Sequence, residues 1–202
     1  MVLASLKQYT EHLHQRVEAA VDIPNRTQNL ETYSELLARL LGFHEPFERR
    51  LAQVSALESL ELDLPARRKT PLVAADLAHL GYTAEAIGLL PRCGLLPEPQ
   101  TAADALGCLY VVEGATLGGQ VIRRLIKQSL GMSGGGAAFF SSYGADIGRM
   151  WKAFCVVVET TVTSPHDVRR AQAFAAETFE AFETWVAPRE AVPQALHRES
   201  EV

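Results

Sequence analysis

Apolar residues in this chain recur at three- and four-residue steps almost throughout, and no segment shows the apolar–polar alternation of a half-buried strand. That spacing restricts the fold to helices packed on helices. Leu3, Leu6, Leu13, Val17 and Ala20 mark a first helix, which Pro24 ends. Asn29 is placed to cap a second, carrying Leu30, Tyr33, Leu36, Leu37, Leu40 and Leu41. Pro46, inside the continuation of that helix, should kink or interrupt it. Cys155–Val158 is rich in β-branched residues but lies within a helical pattern. The expected architecture is all-α, an irregular multi-helix bundle.

Turn residues divide the rest of the chain. Ser59 to Pro71 reads as a loop, with Arg67-Arg68-Lys69 a solvated basic run. Short helices are expected around Leu72–His79 and Ala84–Leu90, before a connection rich in Pro91, Gly94, Pro97 and Pro99. Thr101 to Leu130 reads as one long helix disturbed by Gly114, Gly118 and Gly119, followed by a flexible loop from Gly131 to Gly136. A helix over Ile147–Thr161 carries Trp151 and Phe154. Ser164-Pro165 supplies an N-cap and a first-turn proline for a last helix that runs through Trp185 and ends at Pro188. Residues 1–188 are thus expected to form one helical domain, and 189–202 a flexible tail.

With 202 residues, 48% of them apolar, the chain can bury one core. Its net charge of −5, with both signs mixed, lacks the basic stripe of a nucleic-acid binder. No apolar stretch approaches the ~18 residues of a membrane span, and the opening MVLASLKQYTEHLHQ turns polar too early for a signal peptide. The expectation is a cytoplasmic protein with no nucleic-acid or membrane partner. Cys93, Cys108 and Cys155 form no C-x-x-C pair and are expected to be reduced.

Two local features point to chemistry. Lys7 and His14 lie about two helical turns, or roughly 10 Å, apart on nearly one face, and Glu18 follows one turn later. A neutral imidazole is a good axial ligand for heme iron, and a cation two turns away can meet an acidic group on the same ligand. A partly buried histidine beside a solvated lysine also accounts for this segment. The second feature is the Tyr110–Ile122 stretch, whose three glycines each cost roughly 1 kcal/mol against alanine in a helix. Gly114 and Gly118 share a face, and without Cβ atoms that face lets a flat ligand lie on the backbone. A close helix–helix crossing through small residues is the competing explanation. Taken together, the features describe a planar ligand between a histidine helix and a glycine helix, which is the shape of heme. His12, His44, His79, His166 and His197 read as structural or exposed.

The same residues carry a family likeness. Leu6–Glu18, LKQYTEHLHQRVE, resembles the proximal-helix pattern L-K-x-x-T-x-x-x-H-x-x-x-E of the heme oxygenases. Glu113–Ile122, EGATLGGQVI, resembles their distal motif G-x-x-x-G-G-Q-V, and Ala138-Phe139-Phe140 followed by Trp151 and Phe154 is similar to the segment after their flexible loop. The likeness runs in order from about residue 3 to about residue 186. It is nearest to the bacterial branch that often accompanies bacteriophytochromes.

The resemblance implies a heme sandwiched between a proximal and a distal helix. It implies oxidative cleavage of that heme to biliverdin, carbon monoxide and ferrous iron, with dioxygen and an electron donor such as a ferredoxin or a reductase. Heme b would be both substrate and cofactor, held without covalent attachment, and a bacteriophytochrome is a candidate biliverdin acceptor. By the resemblance, His14 is the proximal iron ligand and Lys7 lies near a heme propionate. Glu18 helps fix the proximal face. Tyr143, Arg149 and Lys152 fall in the region of the other propionate contacts, and Phe179 lies where the last helix nears the pocket. Gly114 and Gly118 lie over the distal face, with Gly119 beside them. Many family members carry an aspartate directly after the first distal glycine, where this chain has Ala115, so other groups must order water there. Three alternatives stand beside this reading. A heme carrier or sensor on the same scaffold is one. A carboxylate-bridged di-iron oxygenase, with Glu11-x-x-His14 and the near-match Asp76-x-x-His79, is another. The last is a helical interaction protein that binds neither.

Overall fold

A computed structural model of the chain describes residues 1–132 and 135–187, and these contain helices and no strand. The elements are α1 (Val2–Val21), α2 (Ile23–Arg26), α3 (Leu30–Leu51), α4 (Thr70–His79), α5 (Ala84–Leu89), α6 (Ala102–Ala115), α7 (Gly119–Leu130), α8 (Ala138–Ser141), α9 (Ile147–Thr161) and α10 (Pro165–Val186). Short 3₁₀ turns occupy Ser55–Leu57, Pro65–Arg67, Thr116–Gly118 and Gly144–Asp146. The expected tail, 189–202, lies outside the described residues.

Local chemistry explains the boundaries. α1 buries Leu6, Thr10, Leu13 and Val17, the stripe its periodicity predicts. It ends where Asp22 turns left-handed (φ 45°) and returns its N–H to the Glu18 carbonyl; Pro24 falls in the first turn of α2. Asn29 caps α3 by accepting from the Thr32 N–H at 2.9 Å, and Ser164 caps α10 by accepting from the Asp167 N–H at 3.1 Å.

Pro46 does not interrupt α3, which runs continuously to Leu51. A proline leaves the carbonyl four residues earlier without its helical donor. Here that carbonyl belongs to Gly42, and the Cys93 N–H donates to it at 2.9 Å. The 91–93 strap can reach it because residue 42 has no side chain. A Cβ there would lie 2.5 Å from the Pro91 carbonyl oxygen and 2.6 Å from the Trp185 ring. Gly42→Ala is therefore expected to cost about 1–3 kcal/mol by overpacking, read as a lower urea midpoint with unchanged helical circular dichroism.

α10 is the spine. Ser5, His14 and Arg16 of α1 meet Gln172, Phe179 and Glu183 of α10 in that order, so the two helices run parallel. Asp104, Gly107 and Cys108 of α6 meet Arg170, Ala171 and Phe174 in order as well, so α6 also runs parallel to α10. A Cβ at Gly107 would overlap the Ala171 carbonyl, which lets these two backbones touch. One apolar core joins α1, α6, α9 and α10; a second joins α3, α4, α7 and α8.

Three sequence expectations change. The Ala102–Leu130 stretch is, by length and composition, apolar enough to cross a membrane, unlike the reading from apolar runs; 56% of its apolar window is buried inside the fold, and the 3₁₀ turn at Thr116–Gly118 divides it. The described end of the 131–136 loop is anchored, since the Tyr33 hydroxyl donates to the Gly136 carbonyl at 2.6 Å and Gly135 lies against the His79 ring. The Arg67-Arg68-Lys69 run is not a solvated loop: Arg67 and Lys69 are buried, and only Arg68 faces solvent, beside Glu48 at 3.2 Å.

Candidate functional site

Because α1, α6 and α10 are parallel, one contact sets the register of the first two. The Tyr110 hydroxyl meets the Thr10 hydroxyl, and Thr10 itself donates to the Leu6 carbonyl at 2.9 Å. One turn on from Thr10 stands His14, and one turn on from Tyr110 stands Gly114. The two residues that the sequence singles out therefore follow the same contact at the same end of parallel helices.

On the α1 side, the His14 side chain is 55% exposed. Its Nδ1 faces the Glu18 carboxylate at 3.6 Å, longer than a hydrogen bond, and its ring meets the buried Phe179 ring edge-on with centroids 6.0 Å apart. A carboxylate on the Nδ1 side leaves Nε2 as the nitrogen for a metal ion. Lys7 is exposed two turns earlier.

On the α6–α7 side, the three glycines have different roles. A Cβ on Gly118 would meet nothing within 4 Å, and one on Gly114 would meet only the Trp151 ring, at 4.0 Å. A Cβ on Gly119 would overlap the Phe140 carbonyl, so Gly119 is the point where α7 packs on α8. Beyond Gly118, Val121 (60% exposed) and Leu125 (37%) continue the apolar face along α7. Trp151 of α9 stacks near Tyr110 and Phe154, at centroid distances of 6.2 and 5.6 Å.

These residues have the chemistry to hold a flat apolar ring with a metal at its centre: an exposed imidazole on α1, Gly114 and Gly118 with room beside them, and aromatic and aliphatic groups at Trp151, Val121 and Leu125. Tyr110, Trp151, Val121 and Leu125 were not named as site residues from the sequence, although Trp151 and Val121 lie in segments that carry the family likeness. Tyr110 had a signal, standing one helical turn before Gly114.

The remaining site residues are placed as follows. Lys152 is exposed on α9. Arg149 is exposed and pairs with Asp146 at 3.0 Å. The Tyr143 hydroxyl donates to Glu113 at 2.6 Å, which draws it into a buried cluster. Glu113 is 1% exposed and forms a short ion pair with Arg67. Lys69 Nζ stands 3.9 Å from Glu113, 3.7 Å above the Tyr143 ring, and donates to the Arg67 carbonyl at 3.0 Å. Asp76, the carboxylate of the di-iron alternative, accepts from the Ala138 and Phe139 N–H groups at 2.7 and 2.8 Å. Among the described residues no group of three or more His, Cys, Asp or Glu side chains is arranged to hold a metal ion.

Burial lowers the Lys69 pKa to about 8, against the opposing pull of Glu113 and with the help of Arg67. A lysine whose folded pKa is depressed binds its proton less readily than in the unfolded chain. Its contribution to stability therefore rises with pH from about 8 towards the unfolded value near ~10.4. Urea melts at pH 7.5 and 9.5 should show wild type gaining on Lys69→Met as pH rises; a gap that stays constant would contradict this.

The heme oxygenase family model matches residues 1–188. The chain belongs to the heme oxygenase family. It therefore stands among heme-degrading oxidoreductases, and the helical fold is that of solved members. A heme oxygenase of Xanthomonas campestris pv. campestris is 28% identical over 161 residues, 78% of this chain and 90% of that one. The heme oxygenase of Neisseria meningitidis, solved with NO and CO bound, superposes with a TM-score of 0.76 at 22% identity, over 96% of this chain and 99% of that one. The cyanobacterial heme oxygenase-1 of Synechocystis, solved in complex with heme, gives 0.70 at 14% identity, over 92% and 90%.

Proposed function

We propose that this heme oxygenase opens heme b to biliverdin, carbon monoxide and ferrous iron. The observation that carries the reading is the shared register of His14 and the Gly114–Gly118 face beyond the Thr10–Tyr110 contact. Bound heme supplies the iron that takes dioxygen and the ring that is cleaved. The protein supplies ligation and orientation. His14 Nε2 would hold the iron, with Glu18 on the Nδ1 side of the ring. Gly114 and Gly118 admit the macrocycle against the backbone and leave room for a diatomic ligand. Trp151, Val121 and Leu125 exclude water from its apolar edge. Lys7, Lys152 and Arg149, the last paired with Asp146, are our candidates for the propionate contacts.

Electrons would come from an acidic ferredoxin or a reductase. No acidic residue lies between Glu113 and Asp146, whereas Arg123, Arg124 and Lys127 project from α7, a local charge opposite to that of the whole chain. Cytoplasmic placement is part of this proposal and agrees with Cys93, Cys108 and Cys155 forming no disulfide. A bacteriophytochrome remains our candidate acceptor of the product.

Ala115 favours one second reading. It is exposed and places no carboxylate beside Gly114, which suits a carrier or sensor that binds heme without cleaving it. Chromatography and mass spectrometry after turnover with reductant, oxygen and catalase decide between them. We expect one predominant biliverdin isomer and one carbon monoxide per heme; recovery of intact heme would support the carrier.

A further inference from the structure

Glu113 is a buried acid near the end of α6, and with Leu109 and Val112 it lines one cleft. Three side chains from two segments converge on Glu113. Arg67 comes from the Pro65–Arg67 turn and also donates to the Met150 carbonyl of α9 at 3.2 Å. Lys69 approaches from the start of α4. Tyr143 arrives from a turn in which Ser142 holds φ 42° and ψ −113°, a conformation that costs a non-glycine residue of order 1–3 kcal/mol and persists only where the surroundings enforce it. The Thr116 hydroxyl donates to the Glu113 carbonyl at 2.6 Å, tying the 3₁₀ turn to the same residue. A cleft of about 370 Å³, lined by Arg49, Arg68, Leu109 and Val112, reaches Glu113 and Arg67, and none of the three glycines lines it.

α6 gives way to the 3₁₀ turn Thr116–Gly118 two residues beyond Gly114, in a segment softened by glycine. A backbone so soft needs an anchor at its last firmly held residue. We propose that Glu113 is the positioning residue of the distal glycine turn. Its carboxylate, clamped by Arg67, Tyr143 and Lys69, fixes the α6–α7 break and supplies the negative charge behind the Gly114–Gly118 face. The second half of this statement rests on the heme reading above.

The first test uses the heme-free protein. Hydrogen–deuterium exchange over residues 114–119 is expected to be roughly tenfold faster in Glu113→Gln. Asp104→Asn is the control. It removes another buried acid of α6, which Arg170 holds at 2.7 Å, nine residues away or about 13 Å along the axis. It should lower the melting temperature and leave exchange at the turn unchanged. Tyr143→Phe, which removes a single hydrogen bond, gives a smaller acceleration and serves if Glu113→Gln does not fold.

The second test is the pH midpoint of the acid–alkaline colour change of the ferric heme complex. Losing the Glu113 charge leaves Arg67 and Lys69 uncompensated and favours the deprotonated form, so the midpoint falls, by about 0.5–1 unit. Arg67→Met should raise it, and Asp104→Asn should not move it. A merely structural role would not produce opposite signs from the two partners. Wild-type exchange rates in both Glu113→Gln and Tyr143→Phe, or midpoints moving the same way in Glu113→Gln and Arg67→Met, would overturn the proposal. Absence of any heme complex would overturn the heme reading, and the exchange measurement would still decide the anchor.

Discussion

His14→Ala is expected to weaken hemin binding by at least about 100-fold, or about 2.7 kcal/mol, and to leave the helical circular dichroism intact. The fold depends little on this side chain, which is 55% exposed and packs only its ring edge on Phe179. Neither His12 nor His44 can take its place. His12 is exposed on a different face of α1. His44 is buried between Phe43 and Phe139, and its burial, with Lys69 nearby, pulls its pKa to about 3. Glu18→Ala, which removes only the group facing Nδ1, should cost about tenfold. Hemin titration followed by Soret absorption reads both. An unchanged Soret band and affinity in His14→Ala would remove His14 as the iron ligand.

Gly118→Leu and Gly119→Ala should have opposite signatures, although the residues are neighbours. Both have ordinary helical dihedrals, so backbone strain does not separate them. Space does. A side chain at Gly118 enters solvent-facing room with nothing within 4 Å, so Gly118→Leu should melt at or above the wild-type temperature, leucine being the better helix former by several tenths of a kcal/mol. The leucine would occupy the face on which the macrocycle lies, and heme cleavage should fall by more than about 100-fold, a barrier increase of about 2.7 kcal/mol. A methyl at Gly119 collides with the Phe140 carbonyl, a backbone atom that moves only with α8. Gly119→Ala should therefore cost about 1–3 kcal/mol of stability and affect activity only through folding. Thermal melts and single-turnover cleavage assays on the two variants separate these outcomes. Full turnover in Gly118→Leu would contradict the sandwich.

Periodicity made the helices legible because burial of one face is what stabilises them. The capping of α3 by Asn29 and of α10 by Ser164 was equally readable, since each is a local hydrogen bond. Long-range relations were not. Pro46 looked like a break because its remedy, the Cys93 N–H, lies on another segment. Arg67 and Lys69 looked solvated because their partner, Glu113, lies more than forty residues further along the chain. At the candidate site, residue chemistry pointed to His14 and Gly114, and the family likeness extended the list of candidates. What separates Gly118 from Gly119 is a backbone contact with Phe140 that no spacing encodes. Tyr143 was grouped with the propionate contacts, and only the folded chain shows its hydroxyl turned to Glu113.

The most direct measurement of the central claim is a single absorption experiment. Hemin is titrated into the purified protein, then reductant is added in air with catalase present to remove free peroxide. A Soret band that saturates at one equivalent and decays into the broad red absorption of biliverdin is the predicted result. A Soret band that persists under reductant and oxygen, or none specific to the protein, would contradict it.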